Sequence, residues 1–364
     1  MTTADELRAS GVPASGIRVA AIDCGTNSLR LLVADVDPVA GRLTDVDRRM
    51  EIVRLGQGVD ATGRLAPAAL DRTLRALAGY AGIIADRSAT AVRMVATSAT
   101  RDAANSADFV RGVTAVLGVA PEVLTGDEEA RLSFTGATAE FAAAAAASAA
   151  AAASAAAAGT GGGVAGAGVG VAGGGPLGGP RPPYLVVDIG GGSTEFVLGG
   201  DPAGGPVSAL SVDIGCVRLT ERYLHSDPPA AAEIAAAVND IGAALDRVAG
   251  ALPVRAARTL VGLAGSVTTV AALALGLPHY DAAQIHHARI SARQVAEQSR
   301  GLLGQTREQR ASLPVMHPGR VDVIGGGAMI LDEVMRRFGF AEVLVSEHDI
   351  LDGIAWSLAE GGSR

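Results

Sequence analysis

Two short stretches hold the residues that could do chemistry together. At 188–195, DIGGGSTE sets a carboxylate, three glycines, a hydroxyl and a second carboxylate in close order. At 23–28, DCGTNS repeats the frame: Asp23 matches Asp188, Gly25 matches Gly190 and Ser28 matches Ser193. Successive N–H groups in a glycine-rich bend point inward and form an anion nest. Without a Cβ in the way, a phosphate can approach the backbone closely. Asp188 closes the apolar run before its turn and can hold Mg²⁺, directly or through water, because that ion takes one or two carboxylates plus phosphate oxygens. Beyond the turn, period-two alternation places Ser193, Glu195 and Val197 on one face and Thr194, Phe196 and Leu198 on the other. A hairpin with a glycine bulge explains either copy alone. Two copies in register, each with Asp at a strand tip, favour a phosphate site.

Other candidates keep two readings each. In TGDEEARLSF (125–134), Asp127, Glu128 and Glu129 occupy the first turn of a helix, where the macrodipole favours ionised carboxylates. They are helix-terminal charge, or a general base beside the nest. Arg101, in the polar loop expected after the strand of 91–103, is a solvated charge or a phosphate clamp. GLAGSVTT (262–269) is a tight strand–helix turn, or a third set of amides at a helix start.

Several chemistries are disfavoured. All 30 basic residues are Arg, so a Walker A loop and Schiff-base catalysis are excluded, and side-chain phosphate contacts must come from Arg. The six histidines lack metal-site spacing; His286 and His287 are adjacent, so they should diverge on a strand or lie about 100° apart on a helix, in structural or surface roles. Cys24 and Cys216 show no CxxC spacing and no neighbouring His or helix N-terminus, and read as buried thiols. Gly161, Gly163 and Gly166 satisfy GxGxxG but follow polyalanine and open no helix, so they are a decoy.

The elements that must position these residues follow from pattern. Residues 18–37 read as strand, glycine turn, strand; 67–86 and 106–118 as helices; 91–103 as a strand entering a loop; 125–141 as the start of a further helix. The strand–turn–strand pattern returns at 184–198. Helices follow over 231–252, 291–304 and 327–339, and a last strand and helix after 342, with Ser346 and Asp349 as an S-x-x-D start that makes Ser346 the N-cap. The repeat implies two α/β lobes facing across a cleft: residues 1–125 with a C-terminal helix (about 346–364) packing back, and 126–345 carrying an Ala/Gly insertion at 142–180. A chain of 364 residues is too long for one core. Net charge of −8 argues against nucleic-acid and membrane-surface binding, and no segment reads as a good membrane span. With no secretory leader pattern, a reduced, cytoplasmic protein is expected.

In order, AIDCGTNSLRLLVADVD, TSATRDA, TGDEEARLSF, VVDIGGGSTEFVLG, DIGCVRLTERYL, GLAGSVTTVAALALG, RVDVIGGGAMILDEVM and VSEHDILDGIAWSL resemble the motifs of the Ppx/GppA phosphatases, over roughly residues 17–360 without the 142–180 tract. The resemblance is strongest to short actinobacterial exopolyphosphatases. It implies an actin-like (sugar kinase/Hsp70/actin) fold of two RNase H-like lobes. It implies release of orthophosphate from inorganic polyphosphate with Mg²⁺ or another divalent cation. Carried over by motif, Glu129 would be the catalytic base and Arg101 the active-site arginine. Asp188 and Glu195 would serve the metal. Gly25, Thr26, Asn27, Ser28, Gly190, Gly191, Gly192 and Ser193 would bind phosphate. Departures are Cys24 and Thr26, where hydrophobic and Ser residues are more usual, and Ala264 and Ser266, where the family reads G-T-G-G-T. The large C-terminal extension of long members is missing, so a preference for short chains is expected; members of the family commonly dimerise, which leaves a homodimer open, while the sequence alone does not fix the oligomeric state. Three rivals stay open: a pppGpp phosphohydrolase, a sugar or acetate kinase of the same fold, and a non-catalytic polyphosphate or alarmone sensor.

Overall fold

The structure, a computed structural model, describes residues 16–141, 179–200 and 207–361; the decoy GxGxxG and nearly all of the Ala/Gly tract lie outside them. Strands β1 (Ile17–Cys24), β2 (Ser28–Asp37), β3 (Arg42–Ile52), β4 (Ala91–Ala96) and β5 (Glu122–Val123) form a sheet in the order β3-β2-β1-β4-β5. Strands β6 (Tyr184–Ile189), β7 (Thr194–Gly199), β8 (Ser208–Val212), β9 (Thr259–Leu263), β10 (Arg289–Ser291) and β11 (Glu342–Val345) form a second, in the order β10-β11-β9-β6-β7-β8. Without β10, the second sheet read from its other edge repeats the first. In each, an antiparallel meander is followed by strands parallel to its first member. The sequence repeat is therefore a structural one, and the fold is actin-like, with two RNase H-like lobes. Registers agree as well: Asp23 pairs with Arg30, and Asp188 with Glu195, at the same place in each hairpin.

The longer helices are α1 (Pro67–Asp86), α2 (Ser106–Leu117), α3 (126–141), α4 (Cys216–Tyr223), α5 (Ala231–Ala251), α6 (Ala264–Ala274), α7 (Ala292–Gly304), α8 (Ile324–Phe338) and α9 (Ile350–Gly361). Among the described residues, none is long and apolar enough to cross a membrane. Strands β1 and β2 are apolar on both faces because helices cover both. Ile22, Leu29 and Leu31 pack on Leu77 and Tyr80 of α1 and Phe109 of α2, while Val19, Leu32 and Val36 pack on Ile350, Ile354 and Ala355 of α9. In the second lobe, Phe196 and Leu198 face the main helical core, and Val197 faces Phe134 and Ala137 of α3, as strand alternation requires.

Two helix starts differ from the sequence expectation. The N-cap of α9 is Asp349, not Ser346. Asp349 Oδ1 accepts from Leu351 N at 3.0 Å, and Asp352 Oδ2 accepts from Asp349 N at 2.9 Å. Ser346 is still held in the sheet, its N–H on Gly262 O, and its hydroxyl donates to His348 O. Helix α8 begins at Ile324, so Gly325, Gly326 and Gly327 are helical. Their lack of side chains lets α8 lie against α4 and α6: a Cβ at Gly326 would sit 3.0 Å from Cys216 O, and one at Gly327 would overlap Ser266 Oγ.

Candidate active site

Both hairpin turns present their edges to the cleft between the lobes. In each, the first glycine closes the turn: Gly25 N donates to Ser28 O and Gly190 N to Ser193 O, both at 3.0 Å. One of the three glycine amides at 190–192 is therefore already used. The carbonyls are tied back into the protein. Thr26 O accepts from Gly56 N, Asn27 O from Val53 and Arg54 N, Gly190 O from Cys216 N, and Gly191 O from Val217 and Arg218 N. With these carbonyls engaged, the amides that the turns do not use themselves are the candidates for an anion nest. The turns also touch one another. A Cβ on Gly191 would sit 2.8 Å from Thr26 Cβ, and one on Gly192 would sit 2.7 Å from Ser98 Oγ. These glycines are needed for lobe contact as well as for access to the backbone.

The turns open on a cavity of about 100 Å³ lined by Thr26, Asn27, Ser28, Glu129, Asp188 and Ser193, with Gly25, Gly190 and Gly191 behind them. Gly192, Arg101 and Glu195 do not line it. Arg101 belongs to the short helix Ser98–Asp102 rather than to a loop. It stands behind Glu129, donating from Nη1 to Leu124 O at 2.8 Å and to Glu129 Oε2 at 3.2 Å.

Helix α3 starts with a division of labour between two glutamates. Glu128 Oε2 accepts from Thr125 N at 2.9 Å and Thr125 Oγ1 at 2.8 Å, which holds its carboxyl below the usual range. Glu129 turns inward and is buried. Its carboxyl is pushed well above the ordinary value by burial and then by Glu195 and Asp188, with Arg101 opposing. Desolvation and like charge here oppose the macrodipole, which by itself favours the ionised group. Burial, Glu195 and Asp349 likewise push Asp188 up to about 8, against the hydrogen bond from Ser133 Oγ at 2.7 Å. Burial also raises Glu195, whose Oε1 accepts from Ser211 Oγ at 2.7 Å.

The two hairpins now differ in an informative way. Where the first lobe pairs Asp23 with Arg30, through Nη2 at 2.7 Å, the second pairs Asp188 with Glu195. A guanidinium faces the carboxylate in the first hairpin, and a second carboxylate faces it in the other. Moreover, Glu195 Oε2 and Asp23 Oδ1 are buried with no hydrogen-bond partner. Orphaned buried oxygens are rare and costly. Hard carboxylate oxygens with unused lone pairs suit a divalent cation of the Mg²⁺ class.

Residues that the sequence did not single out complete the site. Arg30 bridges Asp23 to Asp349, and Arg320 lines the same cavity, its Nη1 on Thr269 Oγ1 at 3.1 Å. The repeat, extended by hairpin register, could have found Arg30. Nothing local marks Arg320, and Asp349 stood out only as part of a helix-start signal. Cys24 and Cys216 are free and buried; Cys216 is the first residue of α4, contrary to the expectation of no helix start nearby, and burial pushes its thiol up.

In GLAGSVTT no glycine turn forms: β9 passes straight into α6, and Ala264 takes φ of 69° at the junction. A left-handed alanine is strained by about 1–2 kcal/mol. Ala264→Gly should therefore raise stability by about 0.5–1 kcal/mol once the extra entropy of glycine is counted, measured by chemical denaturation. An unchanged or lower midpoint would show the strain to be absent.

The Ppx/GppA phosphatase family model matches residues 32–148 and 177–360. A Mycobacterium tuberculosis protein named Exopolyphosphatase 2 is 48% identical over 353 residues, covering 94% of this chain and 98% of that one. An exopolyphosphatase-like protein of known crystal structure superposes with a TM-score of 0.82 at 37% identity, over 96% of this chain and 100% of the other. A Ppx/GppA family member from Aquifex aeolicus gives a TM-score of 0.72 at 26% identity, over 96% and 99%.

Proposed function

The chain belongs to the Ppx/GppA phosphatase family, and from that premise we propose that it is an exopolyphosphatase, hydrolysing the terminal phosphoanhydride bond of inorganic polyphosphate to release orthophosphate. The observation that carries the reading is the placement of Glu129. It sits in the cavity between two anion-binding turns, with one oxygen held by Arg101 and Asp188 lining the same space.

The terminal phosphate is received by the free amides of the 25–28 and 190–193 turns and by the Ser28 and Ser193 hydroxyls. Arg320 lies on the cavity wall and offsets substrate charge. Arg101 fixes Glu129 Oε2, which leaves Oε1 to take a proton from the attacking water. Water oxygen bonds to the terminal phosphorus, the bridging P–O bond breaks, and the shortened chain leaves. Asp188 and Glu195, with Asp23, would hold Mg²⁺ or another divalent cation, which when bound neutralises phosphate charge and the carboxylate repulsion that raises Glu129. Catalysis here is positioning and charge stabilisation rather than covalent chemistry.

The test is phosphate release from short polyphosphate, long polyphosphate and pppGpp side by side, with and without Mg²⁺. Metal-dependent turnover of polyphosphate with higher kcat/KM than pppGpp is expected. The reverse ranking would make the chain a pppGpp phosphohydrolase, and binding without turnover on any of the three would make it a sensor.

A further inference from the structure

Away from the cleft, Glu140 on α3 meets three histidines from two distant segments. His286 and His287 follow the short helix Ala282–Ile285. Adjacent side chains normally diverge, but His287 has φ of 62°, and the two rings stack with centroids 3.8 Å apart. His348, just before α9, stacks with His286 at 4.7 Å. His286 Nε2 lies 3.0 Å from Glu140 Oε2, and His348 Nδ1 lies 3.2 Å from Glu140 Oε1. The ligand atoms of Glu140, His286 and His348 all fall within 4.8 Å of one another.

We propose that Glu140, His286 and His348 form a second cation site, selective for a transition ion of the zinc class and chemically distinct from the carboxylate cluster in the cleft. Two imidazoles and one carboxylate are the donor set of three-ligand zinc sites, which keep an open fourth position. Mg²⁺ prefers oxygen and would pass this site by. Tetrahedral zinc with bonds near 2.05 Å places its donors roughly 3.3 Å apart, so the present spacing needs only a small adjustment. His287 Nε2, 3.4 Å from Glu140 Oε2, is near enough to offer a fourth donor. The ion can enter from solvent, since the side chains of His286, His348 and Glu140 are 22%, 30% and 44% exposed. A left-handed non-glycine residue costs of order 1–3 kcal/mol and tends to persist where a site requires it; at His287 it is what brings the rings together.

Proton accounting is explicit. His286 Nδ1 accepts from Glu347 N at 3.1 Å, so the ring proton sits on Nε2 and points to Glu140. Loading moves that proton to Nδ1, frees the Nε2 lone pair for the ion and breaks the Glu347 contact. His348 would bind the ion through Nδ1 with its ring proton on Nε2. The ion would thereby tie α3, which carries Glu129, to the 347–349 segment, whose Asp349 meets Arg30 in the cleft.

The experiment is equilibrium dialysis of the chelator-treated full-length chain against Zn²⁺ in saturating Mg²⁺, which occupies the hard-oxygen cluster. Cu²⁺ electron paramagnetic resonance reports nitrogen coordination. One Zn²⁺ per chain and nitrogen hyperfine structure are expected. His286→Ala/His348→Ala should weaken Zn²⁺ binding by at least about 100-fold, more than the usual loss from an outer-shell change, and remove the nitrogen signal. Should that variant fail to fold, Glu140→Gln, which keeps the shape but not the charge, should also weaken binding. Absence of Zn²⁺ uptake by the unaltered chain, or equal affinity in the unaltered chain and either variant, overturns the proposal.

Discussion

Glu129→Gln should fold as the parent does and lose phosphate release by about 10²–10⁴-fold, the range spanned by removal of a positioned general base. The loss should fall on kcat, with KM little changed, because the proposed phosphate contacts are turn amides and hydroxyls rather than this carboxyl. Glutamine keeps an oxygen to accept from Arg101 Nη1, so the local packing survives. Substitution also removes a buried carboxyl that Glu195 and Asp188 repel, so thermal stability should hold or rise. Arg101→Ala leaves Glu129 without its cationic neighbour and should also lower kcat, by a smaller factor. Wild-type turnover by Glu129→Gln would remove Glu129 as the base, whatever the substrate panel shows.

The largest stability effect is expected at a helix crossing. A Cβ on Gly136 of α3 would overlap the Asp349 carbonyl, and a Cβ on Gly353 of α9 would overlap the Leu132 carbonyl. Both obstacles are backbone, so no side chain can swing aside and the helices must separate. Gly136→Ala or Gly353→Ala should each cost about 3 kcal/mol, at the upper end of overpacking penalties, and lower Tm by roughly 5 °C or more. Activity should fall with stability. Separation displaces Ser133, which holds Asp188, and Asp349, which meets Arg30. The control is Gly82→Ala on α1, where an added Cβ meets nothing within 4 Å; helix propensity alone should there add about 0.5–1 kcal/mol. Equal behaviour of Gly136→Ala and Gly82→Ala would show that the crossing tolerates separation.

Much of the molecule could be read from local pattern. Strand–turn–strand units at 18–37 and 184–198, the helices between them and the match of Asp23 to Asp188 depend on residue type and spacing. Chemistry of that kind acts over a few residues, and the duplicated topology follows from the repeat. The family motifs then pointed to Glu129, Arg101, Asp188 and Glu195 as a set.

Other features depend on which segments come to lie together. Glu129 and Glu128 are neighbours with the same side chain, yet one caps its helix and the other is buried beside Glu195 and Asp188; burial and distant charge raise the Glu129 carboxyl against the pull of the helix dipole. Arg30 and Arg320 converge on one cavity from positions far apart in the chain, and Asp349 reaches it through its ion pair with Arg30. His286 and His287 share a direction only because one φ is positive, and they meet Glu140 and His348 only because α3 and the approach to α9 pack side by side. Sequence by itself determined the elements, their duplication and the kind of chemistry. Tertiary structure decided which charges face one another without water between them, since desolvation and Coulomb energy depend on distance in space and not along the chain.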